Sequence, residues 1–153
     1  MRLLDILSQN CIKADLKGKT RREVILELVE LLVKSGTVKD KAKVIDAIME
    51  REKLMSTGIG NSVAIPHAKT NACQKLCAAF GRSSSGIPFD ALDEKPVKLV
   101  FLLVTPEAET GPHISALARI SRLLKHKVFK DSLLAAKNDA EIYRIIEEEE
   151  RKR

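Results

Sequence analysis

Two of the three histidines have sequence neighbours typical of a reactive site. His67 follows Pro66, just past a predicted strand end and after a glycine-rich turn, and loops beyond strand ends often carry functional groups. His113 follows Pro112 at a predicted helix start, where free backbone amides and the helix dipole favour an anion. If the fold brings the two imidazoles together, they have three uses: a metal site, acid–base hydrolysis or phosphoryl transfer.

The residues around these histidines weaken the first two uses. A metal pair lacks a third close ligand and an HxxxH or HExxH spacing, and Cys73 and Cys77 do not form a CxxC pair. Hydrolysis lacks a GxSxG nucleophile elbow. Phosphoryl transfer needs a nucleophilic histidine, with a second imidazole and a cation to hold the phosphoryl group. Because the chain has no Walker A loop and no dinucleotide fingerprint, that group would have to come from another protein.

The elements that position these residues are predicted from hydrophobic periodicity, capping signals and turn residues. Predicted strands span residues 12–16, 63–65, 75–82 and 97–104, with a glycine turn at 56–62 and a loop at 83–88. Predicted helices span residues 20–36, 40–52, 113–126, 129–137 and 138–146, and residues 147–153 are expected to fray. The interleaved order predicts an α/β or α+β fold, with a mixed sheet flanked by helices.

Length and composition are those of one globular domain spanning residues 1–153. The chain has 44% hydrophobic residues, and its longest apolar run, residues 99–104, is strand-sized, so no membrane insertion is expected. The N-terminus has no signal-peptide pattern. The odd count of three cysteines, which includes Cys11, indicates buried thiols in a reducing cytosol and thus a cytoplasmic protein.

The net charge of +6 arises from 27 basic and 21 acidic residues. The chain has four Phe, one Tyr and no Trp, and its densest basic cluster, residues 17–22, leads into a predicted helix. This pattern does not favour a nucleic-acid partner, because it lacks a basic stripe with interleaved aromatic residues. An acidic or phosphorylated protein partner fits the charge better.

One continuous segment carries a family resemblance. Residues 51–67 read Arg-Glu-Lys-Leu-Met-Ser-Thr-Gly-Ile-Gly-Asn-Ser-Val-Ala-Ile-Pro-His. This string strongly resembles the active-site segment of IIA components of the bacterial phosphoenolpyruvate-dependent phosphotransferase system. The similar class is the fructose/mannitol type (type 2), which includes the nitrogen-regulatory IIA proteins. The resemblance continues through residues 88–90, residues 96–104 and His113 with Leu117, so it covers nearly the whole chain.

The resemblance implies a specific set of roles. His67 matches the histidine that is transiently phosphorylated on Nε2, His113 matches a second active-site histidine, and Arg51 matches an arginine close to the phosphate. The implied fold is a five-stranded mixed sheet flanked by helices. The implied donor is a small histidine phosphocarrier protein in the cytosol, and neither a metal nor a nucleotide cofactor takes part.

The chemistry of the remaining residues in the segment agrees with such a site. Arg51 can offer two parallel donors to phosphate oxygens. Gly58 and Gly60 permit close approach of the backbone. Ser56 and Thr57 are candidate hydroxyl donors to the phosphoryl group, and the alternative for both is a purely structural role as turn residues.

Three functions remain open. Nothing within the 153 residues resembles a fused sugar-phosphorylating or membrane module, which favours a nitrogen-type regulatory protein that acts on target proteins. The second is a fructose/mannitol-type IIA component that passes phosphate to a sugar-specific IIB component. The third is a binding module that keeps the fold without phosphorylation, against which the intact Arg51, His67 and His113 argue. The Gly111-Pro112 step leaves the pose of His113 open.

Overall fold

The computed structural model of the protein describes residues 1–152, in which one mixed sheet carries the helices. The strands are β1 (Ile12–Lys13), β2 (Gly58–Gly60), β3 (Val63–Ala64), β4 (His67–Lys69), β5 (Cys77–Ile87) and β6 (Val97–Thr105). The helices are α1 (Arg21–Lys34), α2 (Lys41–Leu54), α3 (Thr110–Leu123), α4 (Lys127–Ala135) and α5 (Asp139–Lys152). Two short 3₁₀ turns, Leu3–Asp5 and Gln9–Cys11, precede β1. The predicted mixed sheet flanked by helices is confirmed.

The sheet has the order β1-β5-β6-β3-β2, and β4 also pairs with β6. Both β3 and β4 run parallel to β6, and only residue 65 and Pro66 separate them. Pro66 has no amide hydrogen to donate to the neighbouring strand, so it interrupts the hydrogen bonding and divides one continuous strand into β3 and β4. The six segments therefore occupy five strand positions, as the resemblance implies.

The centre of the sheet is the antiparallel pair β5 and β6. Every residue of β6 except Lys98 is buried, as predicted for a central strand covered on both faces. Phe80 and Phe101 face each other across the pair, with ring centroids 4.6 Å apart. This rigid centre supports β4, which carries His67.

The first two helices begin where the sequence predicts. The Thr20 hydroxyl accepts the amide of Glu23, whose carboxylate accepts the Thr20 amide, so the predicted capping box is confirmed. Asp40 accepts the amide of Lys43 and starts α2. This helix continues to Leu54, two residues beyond its predicted end. Arg51 lies in its last turn.

Two predicted irregular segments are regular, and both corrections have a tertiary cause. Strand β5 begins two residues later than predicted and continues through the expected loop to Ile87. Its register is irregular after Arg82, where Ser84 and Ser85 are exposed while Ile87 is buried. Helix α5 continues to Lys152 instead of fraying from residue 147, and residue 153 of that prediction lies outside the described residues. Its end is fixed because the buried Glu150 carboxylate accepts the Leu3 amide at 2.6 Å and pairs with Arg119.

Smaller differences concern element ends. The strand predicted at 12–16 is reduced to Ile12–Lys13, and α4 begins at Lys127, two residues early. The three cysteines are free and buried, as predicted. No helix among residues 1–152 is both long and apolar enough to cross a membrane.

Candidate functional site

His67 follows the end of β3, as predicted, and is itself the first residue of β4, so it lies within the sheet. Its Nδ1 atom lies 2.7 Å from the carbonyl oxygen of Ile65. A carbonyl accepts only, so Nδ1 carries the proton and the lone pair is on Nε2. Burial lowers the pKa of His67, and the Arg51 charge lowers it further. The imidazole is therefore neutral near pH 7 and nucleophilic at Nε2.

His113 lies beside His67, as the resemblance implies, with ring centroids 5.4 Å apart and planes inclined by 59°. The prediction that it starts a helix is wrong, because α3 begins at Thr110 and the His113 amide already donates to the Glu109 carbonyl. The imidazole itself faces the site. Its Nδ1 is hydrogen-bonded to the Thr105 hydroxyl at 2.7 Å, and burial with nearby positive charge lowers its pKa to about 4.

The neutral His113 ring can therefore present its second nitrogen to a ligand. When the Thr105 hydroxyl donates to Nδ1, Nε2 of His113 carries the proton and becomes a donor. A neutral N–H donor can stabilise negative charge without the cost of burying a positively charged imidazolium.

Arg51 reaches the same cleft from the last turn of α2. One guanidinium nitrogen donates to the Met55 carbonyl at 2.7 Å, which anchors the side chain. A guanidinium carries five donors, so others remain for a phosphate. A cleft of about 430 Å³ is lined by Arg51, His67, Lys69 and His113, and also by Glu50, which is exposed and pairs with Lys53. The two cations and the two imidazoles suit an anion.

The predicted glycine turn is a tight hairpin. Gly58–Gly60 forms β2, and the turn itself is made by Asn61 and Ser62, which have φ values of 55° and 70°. Gly60 has φ of 89°, a backbone conformation that favours glycine. A Cβ on Gly58 would lie 2.8 Å from that of Ala91, so Gly58 permits close packing within the protein.

The two hydroxyl candidates are engaged inside the protein. Ser56 donates to the Phe89 carbonyl and accepts the amide of Gly58 at 3.0 Å. Thr57 is buried and donates to a carboxylate oxygen of Glu52. Since a hydroxyl has one hydrogen, this placement favours the turn alternative over direct donation to phosphate.

Next to this cleft, exposed apolar side chains line a second depression in the surface. A depression of about 270 Å³ next to Arg51 and His67 has Met55, Ile59 and Leu92 on its wall. Leu92 is 80% exposed, and its sequence neighbours at positions 90, 93, 94 and 95 are charged. We call Leu54, Met55, Ile59 and Leu92 the apolar rim. The sequence signal for Leu92 is a large apolar residue within the polar segment 90–95.

Comparison with known proteins places these residues in context. The model of the family described as phosphoenolpyruvate-dependent sugar phosphotransferase system, EIIA 2, matches residues 5–149. The fructose-specific EIIA component of Haloferax volcanii is 40% identical over 129 residues, which are 84% of each chain. The fructose-specific EIIABC component of Bacillus subtilis is 36% identical over 151 residues, which are 99% of this chain and 24% of that protein. This chain thus spans about a quarter of the latter relative.

A solved structure of similar shape is the nitrogen regulatory protein IIA-Ntr from Neisseria meningitidis. It superposes with a TM-score of 0.85 and 32% sequence identity, over 93% of this chain and 97% of that chain. The described architecture is thus shared, over most of both chains, with a protein of that name.

Proposed function

Because the chain belongs to the EIIA 2 family of the phosphoenolpyruvate-dependent sugar phosphotransferase system, we propose that it carries a phosphoryl group on Nε2 of His67 between two other proteins. The observation that supports this most directly is the 2.7 Å hydrogen bond from Nδ1 to the Ile65 carbonyl. It leaves the Nε2 lone pair free and holds the ring in the reactive tautomer.

The chemical step is an in-line displacement. The Nε2 lone pair of His67 forms a bond to phosphorus while the bond from phosphorus to the donor nitrogen breaks, and the electron pair returns to the donor imidazole. Positive charge that develops on the His67 ring is stabilised through Nδ1 by the Ile65 carbonyl. Such a transfer depends on positioning and on charge stabilisation of the phosphoryl oxygens. Arg51 and His113 are the groups placed to supply that stabilisation.

The donor that fits is a small histidine phosphocarrier protein in the cytoplasm. The site lies open at the surface, between an anion-binding cleft and the apolar rim, so a folded partner can reach Nε2. An apolar ring around polar reacting groups is the usual anatomy of a protein interface. No metal or nucleotide is needed in this step.

For the biological role we propose a nitrogen-type regulatory protein that acts on targets through its phosphorylation state. The likeness to IIA-Ntr of Neisseria meningitidis over most of both chains supports this role. A second candidate is a fructose-type IIA component that passes the phosphoryl group to a sugar-specific IIB component. The 40% identity to the fructose-specific EIIA of Haloferax volcanii favours that candidate.

The core proposal is tested by reconstituting the relay. Purified protein is incubated with phosphoenolpyruvate, enzyme I and a histidine phosphocarrier, and the adduct is followed by mass and by its lability in acid. We expect labelling of the wild type and of His126→Ala, whose exposed histidine lies outside the site. His67→Ala is expected to take no label. Undiminished labelling of His67→Ala would overturn the proposal.

A further inference from the structure

The last turn of α2 contains a buried carboxylate beside the site. The Glu52 side chain is only 2% exposed. It accepts the Thr57 hydroxyl, the Thr57 amide at 3.4 Å and an Arg21 nitrogen at 3.1 Å. A buried charge is costly unless it is paired and hydrogen-bonded, and here three donors from two segments converge on it.

The hydrogen bonds continue from Glu52 to the ring of His67. Thr57, held by the carboxylate, accepts the Ile65 amide with its own carbonyl at 3.0 Å. Ile65 in turn accepts the Nδ1 proton of His67. The backbone of Ile65 is therefore held at both its amide and its carbonyl. Its amide depends on Thr57, and its carbonyl selects the tautomer of His67.

Glu52 also acts on the ring by charge. The charged and titratable groups around His67 come from three elements: Glu50, Arg51 and Glu52 from α2, Lys69 from β4 and His113 from α3. Burial and Arg51 lower the pKa of His67, while the negative charge of Glu52 raises it. The carboxylate thus partly offsets the surrounding positive charge.

We propose that Glu52 is a positioning residue for phosphoryl transfer, which acts through Thr57 and Ile65 to hold His67 with Nε2 free. This inference rests on the proposed function for its catalytic consequence only. The tautomer and position of His67 are properties of the free protein, so they can be measured whether or not the chain accepts a phosphoryl group.

The test compares two isosteric variants, Glu52→Gln and Glu150→Gln. Glu150 is a matched control, because its side chain is also 2% exposed, accepts backbone amides and pairs with an arginine. Both variants are expected to lower stability. In ¹⁵N NMR, only Glu52→Gln is expected to lower the pKa of His67 and to populate the tautomer with the proton on Nε2.

The rate of phosphorylation from the carrier is then measured well above pH 6.5, where histidine is neutral in every variant. A misplaced nucleophile is expected to slow Glu52→Gln by up to roughly a hundredfold relative to Glu150→Gln. Thr57→Val, which removes the hydroxyl donor and keeps the Glu52 charge, is expected to shift the tautomer with a smaller change in pKa. Thr57→Val therefore separates the effect of Glu52 on the position of the His67 ring from the effect of its negative charge.

Arg21→Gln gives a result of opposite sign. It leaves the Glu52 charge without its nearest cation, so the pKa of His67 is expected to rise, although the variant is also destabilised. The proposal is overturned if the tautomer and pKa of His67 in Glu52→Gln equal those in Glu150→Gln. If the wild type accepts no phosphoryl group while the NMR differences are observed, the proposed function fails and the positioning role stands.

Discussion

The hydrogen bond between His67 and the Ile65 carbonyl determines which ring nitrogen can react. A histidine free in solution exchanges between two tautomers and titrates near neutrality. Here the carbonyl at 2.7 Å fixes the proton on Nδ1, and burial lowers the pKa. Burial favours the neutral ring and outweighs the hydrogen bond, which by itself raises the pKa. In the neutral ring, the hydrogen bond leaves the lone pair on Nε2. In the proposed function, the nucleophile is thus prepared by its backbone neighbour, and the phosphoryl group is held by two other side chains, Arg51 and His113.

Removing either of those side chains is expected to slow phosphorylation of His67. Each offers a donor to developing negative charge, and loss of one such donor typically costs about 2–4 kcal/mol in the transition state. The rates of Arg51→Ala and His113→Ala are compared by quenched-flow phosphorylation with that of Lys53→Ala, an exposed neighbour in the same helical turn. If either variant transfers at the rate of Lys53→Ala, the stabilising role of that residue is wrong.

The low pKa of His113 has a consequence for stability. In the folded protein it is about 4, against an ordinary value of 6.5. Below pH 6.5 the unfolded chain binds a proton that the folded chain does not, so stability falls as the pH decreases from about 6.5 towards 4. The full loss attributable to this group is about 3 kcal/mol, since each pKa unit corresponds to about 1.4 kcal/mol. The lowered pKa of His67 acts in the same direction.

This effect is measured by urea denaturation at a series of pH values. The free energy of unfolding of the wild type is expected to fall between about pH 6.5 and 4. His113→Ala is less stable at neutral pH, but its free energy of unfolding is expected to fall by less over the same range. Parallel pH profiles for the two proteins would show that the acid sensitivity arises elsewhere. The comparison is between the slopes of unfolding free energy against pH, so the lower stability of the variant at neutral pH does not affect the conclusion.

Among the elements, β5 and α4 are joined by one buried guanidinium. Arg82 is 7% exposed. Its Nε donates to the Ala14 carbonyl at 3.0 Å, and its Nη1 donates to the Leu133 carbonyl at 3.0 Å and to Ala136. The last carbonyls of a helix have no partners within the helix, and a cation there also suits the helix dipole. Arg82 therefore fixes the end of α4 against the sheet.

Arg82→Gln is expected to lower the free energy of unfolding by about 2–4 kcal/mol, because several buried carbonyls lose charged donors. Arg144→Gln, on an exposed face of α5, is the control and is expected to change it by less than about 0.5 kcal/mol. The folded fraction of Arg82→Gln is expected to accept phosphate on His67 at the wild-type rate. A loss of transfer without a loss of stability would contradict this structural role.

The elements that sequence predicts correctly are those with local causes. The start of α1 follows from a capping box, and β6 follows from its continuous apolar run. The errors have distant causes. The end of α5 is helical because Glu150 meets amides 147 residues away in the chain, which no local pattern contains. In the site, the roles of Arg51 and His67 rest on a recognisable string, whereas the buried position of Glu52 depends on packing.

At the scale of the whole molecule, the proposed phosphorylation of His67 changes the charge of a cleft that holds Arg51 and Lys69 and lies beside the apolar rim. The chain has a net charge of +6, and a phosphoryl group adds about −1.5 to −2. It is added within the cleft next to the apolar rim, so a docked partner contacts the modified group directly. Recognition of the two states therefore requires no long-range conformational change.

This geometry gives a test of the regulatory role against the sugar-transport role. Unphosphorylated protein, phosphorylated protein and His67→Ala are immobilised, and cytosolic proteins that bind are identified by mass spectrometry. For a regulator, we expect a target protein whose binding depends on the phosphorylation state, with His67→Ala behaving as the unphosphorylated form. Purified target is then titrated against both forms, because the change in affinity must persist without other cytosolic components.

The same phosphorylated protein is mixed with a purified fructose-type IIB component. A regulator is expected to retain its phosphoryl group there, because its interface is not selected for that acceptor. Rapid passage of the group to the IIB component, together with capture of nothing except the phosphocarrier, would favour the transport role. Since both arms use the same phosphorylated preparation, a negative transfer result cannot come from an unphosphorylated sample. The acceptor surface, and not the chemistry at His67, therefore decides between the two roles.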